Sequence, residues 1–208
     1  MAHANAVFLS LLSGAALVLA LAPGCSNNNN GAPEVAIIWT VSPGTNSSAT
    51  CGTVNDTFTL GSTTTSPIQT VSDGTNATTS IGGQSFTAPV SVQCTVAPNS
   101  GGFSVSVYVK YGNEATFTMS GQQINVTGSG QPGPQTNISA SFGDGIGLAG
   151  ASMNATDCTI TFSQSQYMGI AATRIWGVID CPVASDPTNT TASACDGTAE
   201  FLFENCGQ

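Results

Sequence analysis

The sequence predicts an all-β protein, an antiparallel β-sandwich or barrel of about eight to ten short strands stapled by disulfides. Three observations carry that prediction. Apolar residues alternate with polar ones along most of the chain, a period of two rather than 3.6. No capped amphipathic stretch of helical length occurs after the N-terminal apolar run. Cys51, Cys94, Cys158, Cys181, Cys195 and Cys206 form an even set in a chain whose N-terminus reads as an export signal.

The alternation starts at Glu34. Glu34 to Val41 reads as a strand with apolar residues on both faces, and Thr53 to Leu60 as a second with Val54, Phe58 and Leu60 on one side. Residues 61–84 are Thr, Ser and Gly with little apolar content, which predicts exposed loops around at most a short strand at Pro67 to Ser72. Phe86, Ala88, Val90, Val92, Cys94 and Val96 then occupy alternate positions, so Cys94 points toward the core. After a Pro-Asn-Ser-Gly-Gly turn, Phe103, Val105, Val107, Val109 and Tyr111 alternate with Ser104, Ser106, Tyr108 and Lys110, the pattern of a one-sided hairpin. Ala115, Phe117 and Met119 repeat it, Ser120 to Gln123 reads as a turn, and Ile124 with Val126 as a return. Further alternating sets are Ile138, Ala140, Phe142; Cys158, Ile160, Phe162; and Ile175, Ile179, Cys181, the last with Trp176 and Val178 on its other face. Ala199 to Cys206 ends the chain, with Phe201 and Phe203 opposite Glu200 and Glu204.

Ala6 to Ala22 is apolar or small and uncharged, the length of a signal-peptide core rather than of a membrane span. It leads to Cys25 and then to an Asn-rich segment. The segment resembles a bacterial lipobox, although Pro23 and a leader without Lys or Arg depart from that pattern. The resemblance implies a lipoprotein signal over residues 1–24, a diacylglyceryl group on Cys25, a flexible tether over 25–33 and a single β domain over 34–208. Two or more acyl chains hold a protein stably on a membrane, at about 0.8 kcal/mol per buried methylene. The membrane is thus the one partner expected, through the N-terminal lipid, at an outer membrane or cell surface. The alternative is plain secretion, by cleavage at Ala20-Leu-Ala22.

Two basic residues face eleven acidic ones, a net charge of −9, which excludes nucleic acid as a partner because phosphate binding needs cations. Only 6% of residues are charged, so Thr, Ser, Asn, Gln and Gly carry solubility, as in cell-surface β domains. The seven Asn-x-Ser/Thr sequons follow from that composition and read as unused.

Motifs that could carry chemistry have plainer readings. Gly145-Ile-Gly-Leu-Ala-Gly150 matches a dinucleotide fingerprint but leads into a strand, with no helix N-terminus to receive a pyrophosphate. Asp73-Gly-Thr75 and Asp196-Gly-Thr198 read as turns, because aspartic proteases order the triplet differently. Glu200 and Glu204 share a strand face about 13 Å apart, beyond the ~5 to 9.5 Å of glycosidase pairs. The sole histidine, His3, lies in the signal, and Lys110 reads as a solvated lysine, so no base stands ready for a hydroxyl nucleophile. The expectation is a non-enzymatic structural or binding domain without cofactor. Asp180, Asp186, Asn189, Asp196 and Glu200 offer hard oxygen ligands that could suit calcium, but no EF-hand pattern orders them, and they read as an acidic surface loop. Trp39, Trp176 and Tyr167 could stack a sugar, but no spacing favours such a platform, and residues of this kind are more often core or hairpin edge. A carbohydrate- or lipid-binding module, with its ligand in a cleft or barrel mouth, is the alternative function.

The six downstream cysteines allow many pairings. Locality favours Cys181 with Cys195, closing a ring of about 15 residues worth roughly 3 kcal/mol. The ending Gly-Val-Ile-Asp-Cys-Pro, Cys-Asp-Gly-Thr and Phe-Glu-Asn-Cys206 resembles uncharacterised bacterial surface lipoproteins. Ser91-Val-Gln-Cys-Thr95 with the terminal strand and its cysteine is similar to the mycobacterial 19 kDa lipoprotein antigen family, over about residues 90 to 206. That resemblance implies a Cys94–Cys206 bridge and leaves Cys51 with Cys158.

Overall fold

The computed structural model describes residues 31–44, 56–64, 67–81, 84–124, 134–145, 152–163, 168–187 and 195–208. The chain is all-β and its strands are antiparallel. Among the described residues there are twelve strands: β1 (Glu34–Pro43), β2 (Asp56–Leu60), β3 (Val71–Ser72), β4 (Asn76–Ile81), β5 (Gln84–Asn99), β6 (Gly102–Tyr111), β7 (Ala115–Ile124), β8 (Gln135–Asp144), β9 (Ser152–Thr161), β10 (Gly169–Ala171), β11 (Arg174–Ala184) and β12 (Cys195–Glu204).

The sheet runs β11-β12-β1-β2-β4-β5-β6-β7-β8-β9 and closes on itself where β9 pairs with β11. Closure removes the open edges that would template aggregation, which matters for a chain with so few charges. β3 adds to the end of β1 and β10 to β11.

The period of two explains which way each side chain faces. Val105, Val107, Val109 and Tyr111 of β6 are buried, whereas Ser106 between them is exposed. Their partners across the ladders are buried too: Val96, Val92 and Val90 on β5, and Met119, Phe117 and Ala115 on β7. Rings from non-neighbouring strands meet across the interior. Trp39 of β1 lies 6.0 Å from Phe142 of β8, Phe58 of β2 lies 5.6 Å from Tyr111 of β6, and Phe117 of β7 stacks at 6.4 Å on Phe203 of β12. The barrel is therefore flattened onto a packed core. Burial of each such side chain is worth about 1.5–3 kcal/mol.

Three sequence expectations are corrected. Ser120 to Gln123 is not a turn, because β7 runs through it to Ile124. Gly121 is there for packing: a Cβ on it would stand 2.4 Å from Cδ1 of Ile138, and the ladder irregularity is absorbed where Gln123 adopts φ 58°. Asp196-Gly-Thr198 is likewise strand, inside β12. Asn76–Ile81 forms β4 despite its polar composition, because Thr79 and Ile81 turn inward while the Oγ atoms of Thr78 and Thr87 bond across the outer face at 2.7 Å. Asp73-Gly-Thr75 is a turn as expected, with Gly74 at φ 76° and Asp73 Oδ1 accepting from Val92 N at 2.7 Å.

Candidate functional site

The cysteines are the sequence-singled residues that the fold brings together most clearly. Cys94 is bonded to Cys206, with Cα atoms 4.8 Å apart. Cys181 is bonded to Cys158, not to Cys195, and this also displaces the expected Cys51–Cys158 pair. Register supplies the reason. On the β9–β11 ladder Asp180 faces Thr159 and Ile179 faces Ile160, so Cys181 stands opposite Cys158. On the β11–β12 ladder Cys181 faces Gly197, and Cys195 is carried on to face Ala184. The Cys158–Cys181 bridge thus staples the pair of strands that closes the barrel. Cys195 is also disulfide-bonded, and its partner lies outside the described residues. Cys25 and Cys51 lie outside them as well.

The Cys94–Cys206 bridge fastens the end of the chain across one end of the barrel. Gly207 pairs with β5, its N–H donating to Cys94 O and its carbonyl accepting from Val96 N, both at 2.9 Å. Thr173, in the β10–β11 turn, joins them: its N–H donates to Val96 O at 3.1 Å and its carbonyl accepts from Cys206 N at 2.9 Å. Sequence periodicity could not show this clasp, since it joins strands that are not neighbours in the ring.

The acidic residues do not converge. Asp180, Asp196 and Glu200 lie on the outer faces of β11 and β12, Asp186 follows β11, and no metal-holding group of His, Cys, Asp or Glu occurs among the described residues. Asn189 and Tyr167 lie outside the described residues, as does most of the Gly145–Gly150 run. The flanks of that run belong to β8 and β9, adjacent antiparallel strands. Glu204 is held by Arg174, Nε to Oε1 at 3.0 Å, and the Arg174 guanidinium sits 5.9 Å from the Trp176 ring. Both tryptophans are buried. Trp39 is enclosed by Phe58 and Phe142, so neither offers a stacking platform.

One cleft was not foreseen from sequence. At the opposite end of the barrel from the clasp, Asn113 and Glu114 of the β6–β7 turn, Asp144 and Gly145 at the end of β8, and Ser152 of β9 line a concavity of about 190 Å³. Gly145 N donates to Glu114 O at 2.6 Å and draws the two segments together. Its volume falls short of the ~300 Å³ at which small-molecule pockets begin. Nearby, the Tyr111 hydroxyl donates to Phe86 O at 2.6 Å and lies 3.1 Å from Ala77 O, pinning the β4–β5 hairpin to β6. Burial pushes its phenol above the ordinary tyrosine range, opposed by backbone hydrogen bonds from Thr79 and Ala88 and reinforced by the charge of Glu114.

No known family model, curated protein or solved structure matches the chain.

Proposed function

We propose that the chain is an exported bacterial lipoprotein, anchored through lipid on Cys25 at an outer membrane or cell surface, whose β domain is a non-enzymatic structural or binding module. The observation that carries this reading is the state of the cysteines. All five in the described residues, Cys94, Cys158, Cys181, Cys195 and Cys206, are disulfide-bonded, which suits a chain folding outside a reducing cytosol. Two bridges account for four of them. Pairing Cys195 with Cys51 completes three bridges and leaves Cys25 for lipid. Pro43 faces Cys195 on the β1–β12 ladder, so the chain leaving β1 sets out toward Cys51 from beside Cys195.

The non-enzymatic reading is supported by the packed interior and by Lys110, which stands on the outer face of β6 between Ser91 and Thr116 rather than in a pocket. Metabolic labelling with radioactive palmitate tests the anchor. Label should enter the wild-type chain and be absent from Cys25→Ser, which should leave the membrane fraction. Label retained in Cys25→Ser, or a wild-type chain released without label, refutes it.

A further inference from the structure

The outer face of β5 to β9 differs from that of β1, β11 and β12. Across the ladders one row runs Gln93, Tyr108, Thr118, Ser141, Asn154, each residue directly opposite the next. The row on one side carries Lys110, and the row on the other side is built of Thr and Ser. Gln93 and Asn154 are exposed, and Tyr108, Thr118 and Ser141 are half-buried. Among the described residues no carboxylate projects outward from β5, β6, β7 or β8: between residues 84 and 144 the acidic residues are Glu114, in a turn, and Asp144, buried at a strand end. On β9 Asp157 is exposed three residues past Asn154, off the row. By contrast β1, β11 and β12 carry Glu34, Asp180, Asp196, Glu200 and Glu204. A protein of net charge −9 thus keeps on β5 to β8 a broad face of hydroxyl and amide groups around one aromatic ring, with Lys110 on one flank and, on β9, Asp157 on the other.

That chemistry selects among partners. Protein interfaces are anchored by apolar and aromatic clusters, and one ring amid hydroxyls does not make one. Lipid would need exposed apolar area. Anionic polymers meet the long-range repulsion of the net charge. A neutral polyhydroxylated chain meets none of these objections: hydroxyl and amide side chains donate and accept, no charge within the row itself has to be desolvated, and the flat ring of Tyr108 suits the apolar face of a pyranose. Five strands at ~4.8 Å spacing give a row about 19 Å long, room for several sugar units.

We infer that the outer face of β5 to β9 is a docking surface for a neutral polysaccharide, with a sugar ring stacked on Tyr108 and hydrogen-bonded along the Gln93 to Asn154 row. This rests on the reading of the domain as a non-enzymatic module, and it replaces the cleft that the packed core denies with an open face. It does not need the lipid.

Native affinity electrophoresis of the full chain in gels holding dextran, hydroxyethylcellulose or galactomannan tests it, with polygalacturonate as the anionic comparison. At least one neutral polymer should retard the protein. Tyr108→Ala and, independently, Thr118→Asp should weaken that retardation at least tenfold, whereas Tyr108→Phe, Cys25→Ser and Thr40→Ala, on the outer face of β1 across the ring, should match wild type. A cooperative urea melt identifies the variants that have folded, and each variant's retardation is taken relative to its own mobility in a polymer-free gel. Free migration in all three neutral gels, retardation by polygalacturonate alone, or undiminished retardation of folded Tyr108→Ala and Thr118→Asp would each overturn the inference. Loss of palmitate label with retardation intact would sink the anchor and leave this face standing.

Discussion

Gly197 of β12 and Phe142 of β8 occupy one space in the barrel: a Cβ on Gly197 would stand 2.5 Å from Cε2 of the Phe142 ring. The ring in turn packs on Trp39 at 6.0 Å and on Phe117 at 5.5 Å, so it has no free direction in which to retreat. Gly197→Ala is therefore expected to destabilise the fold by about 1–3 kcal/mol, as overpacking does. Adding Phe142→Leu should recover part of that loss, and urea melts of the two single variants and the double variant would show the coupling. Strictly additive losses would mean that the two residues do not compete.

The same pair shows what the sequence can and cannot disclose. Alternation along Phe86 to Val96 and Phe103 to Tyr111 marks a hairpin because one face is buried and the other is wet, and the ladder pairs Val92 with Val109 as that pattern requires. Asp196-Gly-Thr198 has the letters of a turn, and only the ring of Phe142, distant in sequence, explains why glycine stands there in a strand. Cysteine pairing fails for a related reason. Locality favoured Cys181 with Cys195, but β9 closes onto β11 and places Cys158 opposite Cys181. Nor could the composition of residues 113–114 and 144–152 reveal a cleft that exists only because β8 lies beside the β6–β7 turn.

Among the described residues, Trp39 is the largest of the fully buried side chains, and its buried indole N–H has no hydrogen-bond partner among them. Trp39→Ala should cost about 3–5 kcal/mol through the cavity it leaves. Trp39→Phe should cost clearly less, because it keeps most of the ring and removes the unsatisfied donor. Chemical denaturation of both variants checks the order. Equal losses would show that the N–H has a partner or that the pocket collapses around alanine.

Tyr111 predicts an alkaline limit. Its phenol titrates higher in the folded state than in the unfolded chain, so the folded protein keeps a proton that the unfolded chain gives up. The stability it contributes is fully present below the unfolded value of about 10 and is lost as pH rises through the folded value. Absorbance at 295 nm should show one of the three tyrosines ionising late, at or with unfolding. The late step should vanish in Tyr111→Phe, which should itself be less stable near neutral pH because the bonds to Phe86 and Ala77 are gone. Three tyrosines ionising together near pH 10 in a folded protein would contradict this.

The two bridges should differ under reduction. Cys158 and Cys181 are wholly buried, whereas Cys94 is partly exposed at the clasp. Mild reductant with alkylation should label Cys94 and Cys206 first, with amide exchange rising at Val96, Thr173 and Gly207 while the ring persists. The bridges span 112 and 23 residues, and chain entropy makes them worth about 4.8 and about 3.4 kcal/mol. Paired Cys→Ala variants, melted in urea, should rank in that order. Reduction of Cys158–Cys181 first would mean that the closing seam opens more readily than the clasp.

The partition of the seven cysteines between lipid and scaffold is tested most directly by intact mass and non-reducing peptide mapping of the membrane-extracted protein. The account predicts an N-terminus at Cys25 carrying acyl mass, with linked peptides joining Cys94 to Cys206, Cys158 to Cys181 and Cys51 to Cys195. An unacylated N-terminus, or a peptide linking Cys25 to Cys195, would contradict it.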